Sequence, residues 1–150
     1  MELLVAALPR PRCTMHLDTV VTMLDRDAFA VYPSVTRSMP VFRLRSSGRG
    51  LRIDQEVDLA SALRRSLDAS VRMIETGGDS LTREREQCND ASNLLALGPG
   101  VVVGYDHNVS TTERLTAAGI DLLTISGSEL ARGGGGARCL SCAVEHAPLA

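Results

Sequence analysis

The stretch that decides the fold runs from Asn93 to Ile125. It begins Asn93-Leu94-Leu95-Ala96-Leu97, breaks at Gly98-Pro99-Gly100, and returns as Val101-Val102-Val103-Gly104-Tyr105. Two apolar runs around a Gly-Pro-Gly turn read as a hairpin of mostly buried strands. Ser110-Thr111-Thr112-Glu113 follows, a capping box that predicts a short helix opening there and running through Leu115 and Ala118, with Gly119 just past its end. Ile120 to Ile125 is then a further strand. Strand, strand, helix, strand is an α/β unit.

The same alternation extends towards the N-terminus. Cys13 to Thr22 is rich in β-branched residues and predicts a strand, turned by Asp25-Arg26-Asp27 into a returning strand over Ala28 to Tyr32. Val41 to Arg45 predicts another short strand, followed by a Ser/Gly/Arg loop from Ser46 to Gly50. From Asp54 to Asp68, Val57, Leu59, Ala60, Leu63 and Leu67 recur at helical spacing, with Arg64 and Arg65 late, where the helix dipole favours cations. Val71 to Glu75 predicts a strand ended by Gly77-Gly78, and Thr82 to Asp90 is a polar, charge-mixed connection. After Ile125 comes a four-glycine run, Gly133 to Gly136, then a last apolar segment through Val144 and a frayed tail from Glu145 to Ala150. The expected fold class is α/β throughout, with no internal linker.

Composition narrows the function. With 150 residues, 44% hydrophobic and 23% charged, the chain has the make-up of one globular domain. No apolar run approaches the ~20 residues that cross a bilayer. Met1 to Pro9 is apolar but lacks a basic flank, so it does not read as a secretory signal, and a cytoplasmic location is expected. Sixteen cations, every one an arginine, face 18 acids for a net charge of −2, which excludes an excess of positive charge for nucleic acid. Aromatic residues make up 3% with no Trp, so base-stacking platforms are missing too. The four cysteines are expected as thiols.

Three constellations could carry chemistry. His16 and Asp18, two apart on the predicted strand, share a face, and a carboxylate that orients an imidazole suits a general acid/base. A solvated pair on an edge strand reads the same way. Cys139 follows the glycine run, where the backbone can approach a ligand closely, and Arg132 and Arg138 could lower its thiol pKa. A buried structural cysteine after a surface loop is the alternative. Cys139-Leu140-Ser141-Cys142 is also a C-x-x-C spacing, but no second paired motif completes a zinc site, so no metal is expected.

Read together, the segments Thr14-Met15-His16-Leu17-Asp18-Thr19-Val20, Asn89-Asp90-Ala91-Ser92-Asn93-Leu94, Pro99 to Val109 and Arg132 to Cys139 resemble the C-terminal part of arginine deiminase in order and approximate separation. The resemblance implies a partial α/β-propeller (pentein) of ββαβ-type blades. Residues 1–150 would then be the C-terminal portion of the domain, with the family's N-terminal portion absent. It implies hydrolysis of L-arginine to L-citrulline and ammonia without a cofactor. Cys139 would be the nucleophile that forms a covalent amidino intermediate and His16 the acid/base. Asp18 would hold the guanidinium, while Arg132, Gly135 and Gly136 would belong to the loop over the substrate.

The sequence also departs from the family pattern. Gly134 stands where the family commonly has an arginine, and the second guanidinium-binding Asp and the catalytic Glu have no counterpart in these residues. Two expectations follow: an enzyme slowed by the missing portion, completed by a second copy or a complementing N-terminal portion, or a non-catalytic remnant. A C-x-x-C thiol or zinc protein is a poorer third.

Overall fold

In chain order the elements are β1 (Glu2–Ala6), β2 (Val21–Met23), β3 (Ala28–Val31), α1 (Pro33–Thr36), β4 (Val41–Ser47), β5 (Gly50–Gln55), α2 (Leu59–Leu67), β6 (Arg72–Glu75), α3 (Ser80–Cys88), β7 (Leu95–Gly98), β8 (Val101–Tyr105), α4 (Val109–Ala117) and β9 (Asp121–Ile125). The structure is a computed structural model and describes residues 2–48 and 50–145. The strands form three sheets of three, β1-β4-β5, β2-β3-β6 and β7-β8-β9, in a mixed α/β arrangement with no closed barrel among the described residues.

Two of the sheets share one internal plan. β7 and β8 form the predicted antiparallel hairpin, and α4 then crosses over to bring β9 parallel to β8, from Val101 opposite Asp121 to Tyr105 opposite Ile125. β2 and β3 are likewise an antiparallel hairpin, with β6 parallel to β3. The two plans meet in one core of Leu24, Ala28, Ala30, Leu94, Val102, Leu115 and Ile120. The expectation of mostly buried strands fails for β7, whose Ala96 and Leu97 are exposed and whose Leu95 and Gly98 are only partly buried.

The third sheet holds a buried cation. Arg43 on β4 is fully buried, paired with Glu56 and Glu2, and donates to the Ala62 carbonyl and the Ser66 hydroxyl of α2, each at 2.9 Å. Its fork therefore ties β1, β4 and α2 together, and removing one partner of such a pair typically costs about 3–5 kcal/mol. β5 was hidden in sequence by the Ser/Gly/Arg stretch, which is here the end of β4 and the start of β5 around a tight turn.

Several expected boundaries move, each for a local reason. Cys13 to Thr22 is not a strand: it makes 3-10 turns at Arg12–Thr14 and Leu17–Thr19, and only Val21–Met23 extends. The Thr14 and Thr19 hydroxyls donate to carbonyls three residues back, of Pro11 and His16, which favours turns over a ladder. The buried Gln87 side-chain amide then donates to the Cys13 and Thr19 carbonyls at 2.7 and 2.6 Å, standing in for a neighbouring strand. α2 starts at Leu59 and not at Asp54, because Asp58 caps it by accepting from the Ser61 N–H at 2.7 Å, and Val57 is left exposed. The polar stretch before Asp90 is helix α3, capped by Asp79.

The Ser110 capping box does not form. α4 opens after Asn108, and the Ser110 and Thr111 N–H groups go to the buried Glu86 carboxylate of α3 at 2.9 and 3.0 Å. Past β9 the chain makes a 3-10 turn at Leu130–Gly133 and no further strand among the described residues, and Val144 is fully exposed, so the last apolar segment is not a core element. Of the predicted tail, residues 146–150 lie outside the described residues. No described helix is long and apolar enough to cross a membrane.

Candidate active site

His16 and Asp18 come from the turn segment before β2, and Cys139 from the glycine-rich segment after β9. The sequence separates Asp18 from Cys139 by 121 residues. In the fold one nitrogen, oxygen or sulfur donor atom from each of His16, Asp18 and Cys139 lies within 4.8 Å of the other two. The pairing of His16 with Asp18 predicted from a strand face therefore survives, but a 3-10 turn produces it. His16 is the extended residue that opens the turn and Asp18 lies within it.

Asn93 fixes the two halves of the cluster against each other. It is buried at the entry to β7, its Nδ2 donates to the Asp18 carbonyl at 3.2 Å, and its Oδ1 accepts from the Cys139 N–H at 3.0 Å. Gly136 packs on it so closely that a Cβ there would stand 2.6 Å from Asn93 Cβ and Oδ1. Gly135 sits at φ +134°, and its carbonyl accepts from the Tyr105 hydroxyl at 2.8 Å. A side chain at Gly136 would clash, and one at Gly135 would be strained; both glycines are demanded by the docking of this segment.

The electrostatics run against one expectation. Burial in the cleft pushes the Cys139 thiol up from its ordinary value, and the Asp18 carboxylate, with Oδ2 3.9 Å from Sγ, pushes it further. Arg138 does not offset this, because its Nε faces the same Asp18 Oδ2 at 3.6 Å. Arg132 is exposed and pairs with Glu129 at 3.1 Å. The free site therefore disfavours the thiolate. The other oxygen of Asp18, Oδ1, is buried and has no hydrogen-bond partner among the described residues.

A cleft of about 630 Å³ opens onto His16 and Cys139, and its walls also include Arg12, Asp90, Arg132 and Gly135. Residues 1–146 match the family model described as arginine deiminase. The chain belongs to the arginine deiminase family. All four cysteines of this arginine deiminase relative are free, and Cys142 is not part of the cluster, its Sγ lying 3.9 Å from the Ala143 carbonyl.

Residue-type reasoning had passed over three members of this deiminase-family site. Asp90 takes a left-handed backbone, φ 59°, and its half-buried carboxyl is pushed up by burial and by Asp18, against the pull of Arg12 and His107. Asn93 and Gln87 are the buried amides that hold the turn segment before β2 and the backbone of Cys139. The available signal was Asn89-Asp90 at the end of a polar stretch, since a left-handed residue past a helix is typically Asn, Asp or Gly.

Proposed function

We propose that this chain performs arginine deiminase chemistry, taking L-arginine and water to L-citrulline and ammonia, at a reduced rate in isolation. The observation that carries the reading is the convergence of Cys139, His16 and Asp18 from segments far apart in sequence, with His16 and Cys139 lining one cleft. Asp18, with an oxygen to spare, holds the guanidinium nitrogens. The Cys139 thiol gives its proton to His16, Sγ attacks the guanidinium carbon, and His16 passes that proton to the departing ammonia, leaving an amidino thioether. His16 then takes a proton from water, the water oxygen adds to the same carbon, and the C–S bond breaks as that oxygen loses its second proton to solvent, releasing citrulline and the thiolate.

The raised thiol fits a substrate-coupled ionisation. A guanidinium beside Asp18 cancels the carboxylate's field at Sγ, so the thiolate forms where its target has already bound. Arg132, Gly135 and Gly136 form the covering segment, and no cofactor takes part. The β2-β3-β6 and β7-β8-β9 sheets are, in this reading, ββαβ-type blades of a partial pentein propeller. Residues 1–150 form the C-terminal portion of the deiminase domain, extended by a second copy or a complementing N-terminal portion, in the cytoplasm. Turnover is slow because few carboxylates orient the guanidinium.

A non-catalytic remnant is the second reading, favoured by the raised Cys139 thiol and by the pairing of Arg132 with Glu129. Citrulline formation from arginine by the purified chain, beside Cys139→Ala, decides between them. Slow turnover lost in the variant supports the first. No turnover in a sample with a cooperative thermal transition supports the second.

A further inference from the structure

We propose that His16, Asp18 and Cys139 together bind a divalent cation of the zinc class, which excludes arginine and holds the site inactive. The inhibitory half of this proposal rests on the reading of the cleft as the arginine site; the binding half does not.

The donor set is an imidazole nitrogen, a carboxylate oxygen and a cysteine sulfur, each residue offering one atom, all within 4.8 Å of one another. Ligand bonds to zinc of about 2.0–2.3 Å place tetrahedral donors roughly 3.3–3.8 Å apart, so the cluster closes on an ion through small side-chain rotations. His16 and Cys139 are exposed and have room to make them. Mixed nitrogen, oxygen and sulfur donors favour zinc-like ions over magnesium or calcium, which take oxygen.

Two further features fit an ion. Asp18 Oδ1 is buried without a hydrogen-bond partner among the described residues, an unsatisfied oxygen that a turn of the carboxylate would bring to an ion, while Oδ2 faces Arg138. Asn93 holds the backbones carrying Asp18 and Cys139 in fixed relation, an outer-shell support of the kind that sharpens metal sites. Three protein ligands leave the fourth position open towards the cleft, where water completes the shell. On binding, Sγ forms its bond to the ion and the thiol proton passes to solvent; no oxidation state changes. Thiolate and carboxylate then neutralise the ion's two charges.

The test is titration of the purified chain with Co²⁺, a spectroscopic stand-in for zinc, read by sulfur-to-cobalt charge-transfer absorption and tetrahedral visible bands. One cobalt per chain with a thiolate band is expected, unchanged in Cys142→Ser and lost in Cys139→Ala. His16→Ala should weaken binding by roughly tenfold or more, since even outer-shell losses cost about 10–100-fold. In the unsubstituted protein, Zn²⁺ should protect Cys139 from iodoacetamide, read peptide by peptide, and L-arginine should compete with it. A band that persists in Cys139→Ala or disappears in Cys142→Ser overturns the proposal, as does Cys139 labelling that zinc leaves unchanged. Absent citrulline formation with intact cobalt binding sinks the deiminase reading alone.

Discussion

Replacing Gly136 by alanine tests whether the nucleophile is placed by a backbone contact. The added methyl would stand 2.6 Å from Asn93 Cβ and Oδ1 and 2.8 Å from the Asn93 carbonyl, well inside contact distance. Asn93 is buried and already spends both ends of its amide on Asp18 and Cys139, so it cannot yield without losing one of them. Overpacking of this kind costs about 1–3 kcal/mol. For a domain of this size each kcal/mol lowers Tm by about 2–4 °C, so the expected fall is roughly 2–12 °C. The Cys139 N–H bond should break first, moving Sγ away from His16, and a displacement of even ~1 Å can cost about 10²-fold in rate. Gly133→Ala is the control, because nothing lies within 4 Å of its Cβ position and that residue has no positive φ. The pair would be measured by thermal unfolding and by the rate of Cys139 alkylation under native conditions. Equal Tm and equal alkylation in Gly136→Ala and Gly133→Ala would refute the reasoning.

Cys139→Ala should abolish citrulline formation while Cys142→Ala leaves it within about twofold; equal losses would assign the chemistry to the C-x-x-C pair. Because burial and Asp18 raise the Cys139 thiol, its alkylation should rise with pH through a midpoint above the ordinary thiol value of about 8.5. Asp18→Asn removes a charge that disfavours thiolate, so its midpoint should fall, and a midpoint that rises instead would contradict the electrostatics. Glu86→Ala should destabilise the fold by about 1–3 kcal/mol in urea unfolding, since it strands the Ser110 and Thr111 N–H groups at the start of α4. Glu86→Gln should recover part of that loss, and no difference between the two would mean the cap contributes by shape alone.

The hairpin Leu95 to Tyr105, the strand Asp121–Ile125 and the core of helix α2 were legible because apolar spacing and turn residues agree there. α3 was not, because its buried members are Glu86 and Gln87, polar residues that leave no apolar stripe. Only Asp79 ahead of Thr82 marks its start. The capping box at Ser110 misled for a related reason: the donors it would serve are taken by Glu86, 24 residues earlier, and no local pattern records that. His16 and Asp18 were picked out by chemistry, yet the strand invoked to join them does not exist. What unites them is a turn fixed by threonine hydroxyls and by the Gln87 amide. The pull of Arg132 and Arg138 on the thiol failed because proximity in sequence says nothing about which way a guanidinium points. Asp90 and Asn93 lie in a segment that carries the family resemblance, yet neither drew a role of its own, since a single Asn or Asp in a polar run has many ordinary explanations.

The distance in sequence between Asp18 and Cys139 has a temporal meaning as well. At about 5–20 residues per second of synthesis, the separation of 121 positions puts the sulfur's emergence roughly 6 to 24 s behind the carboxylate's. A growing chain thus displays His16 and Asp18 before Cys139 joins them, and the sulfur arrives only after both hairpins that frame it have had time to form.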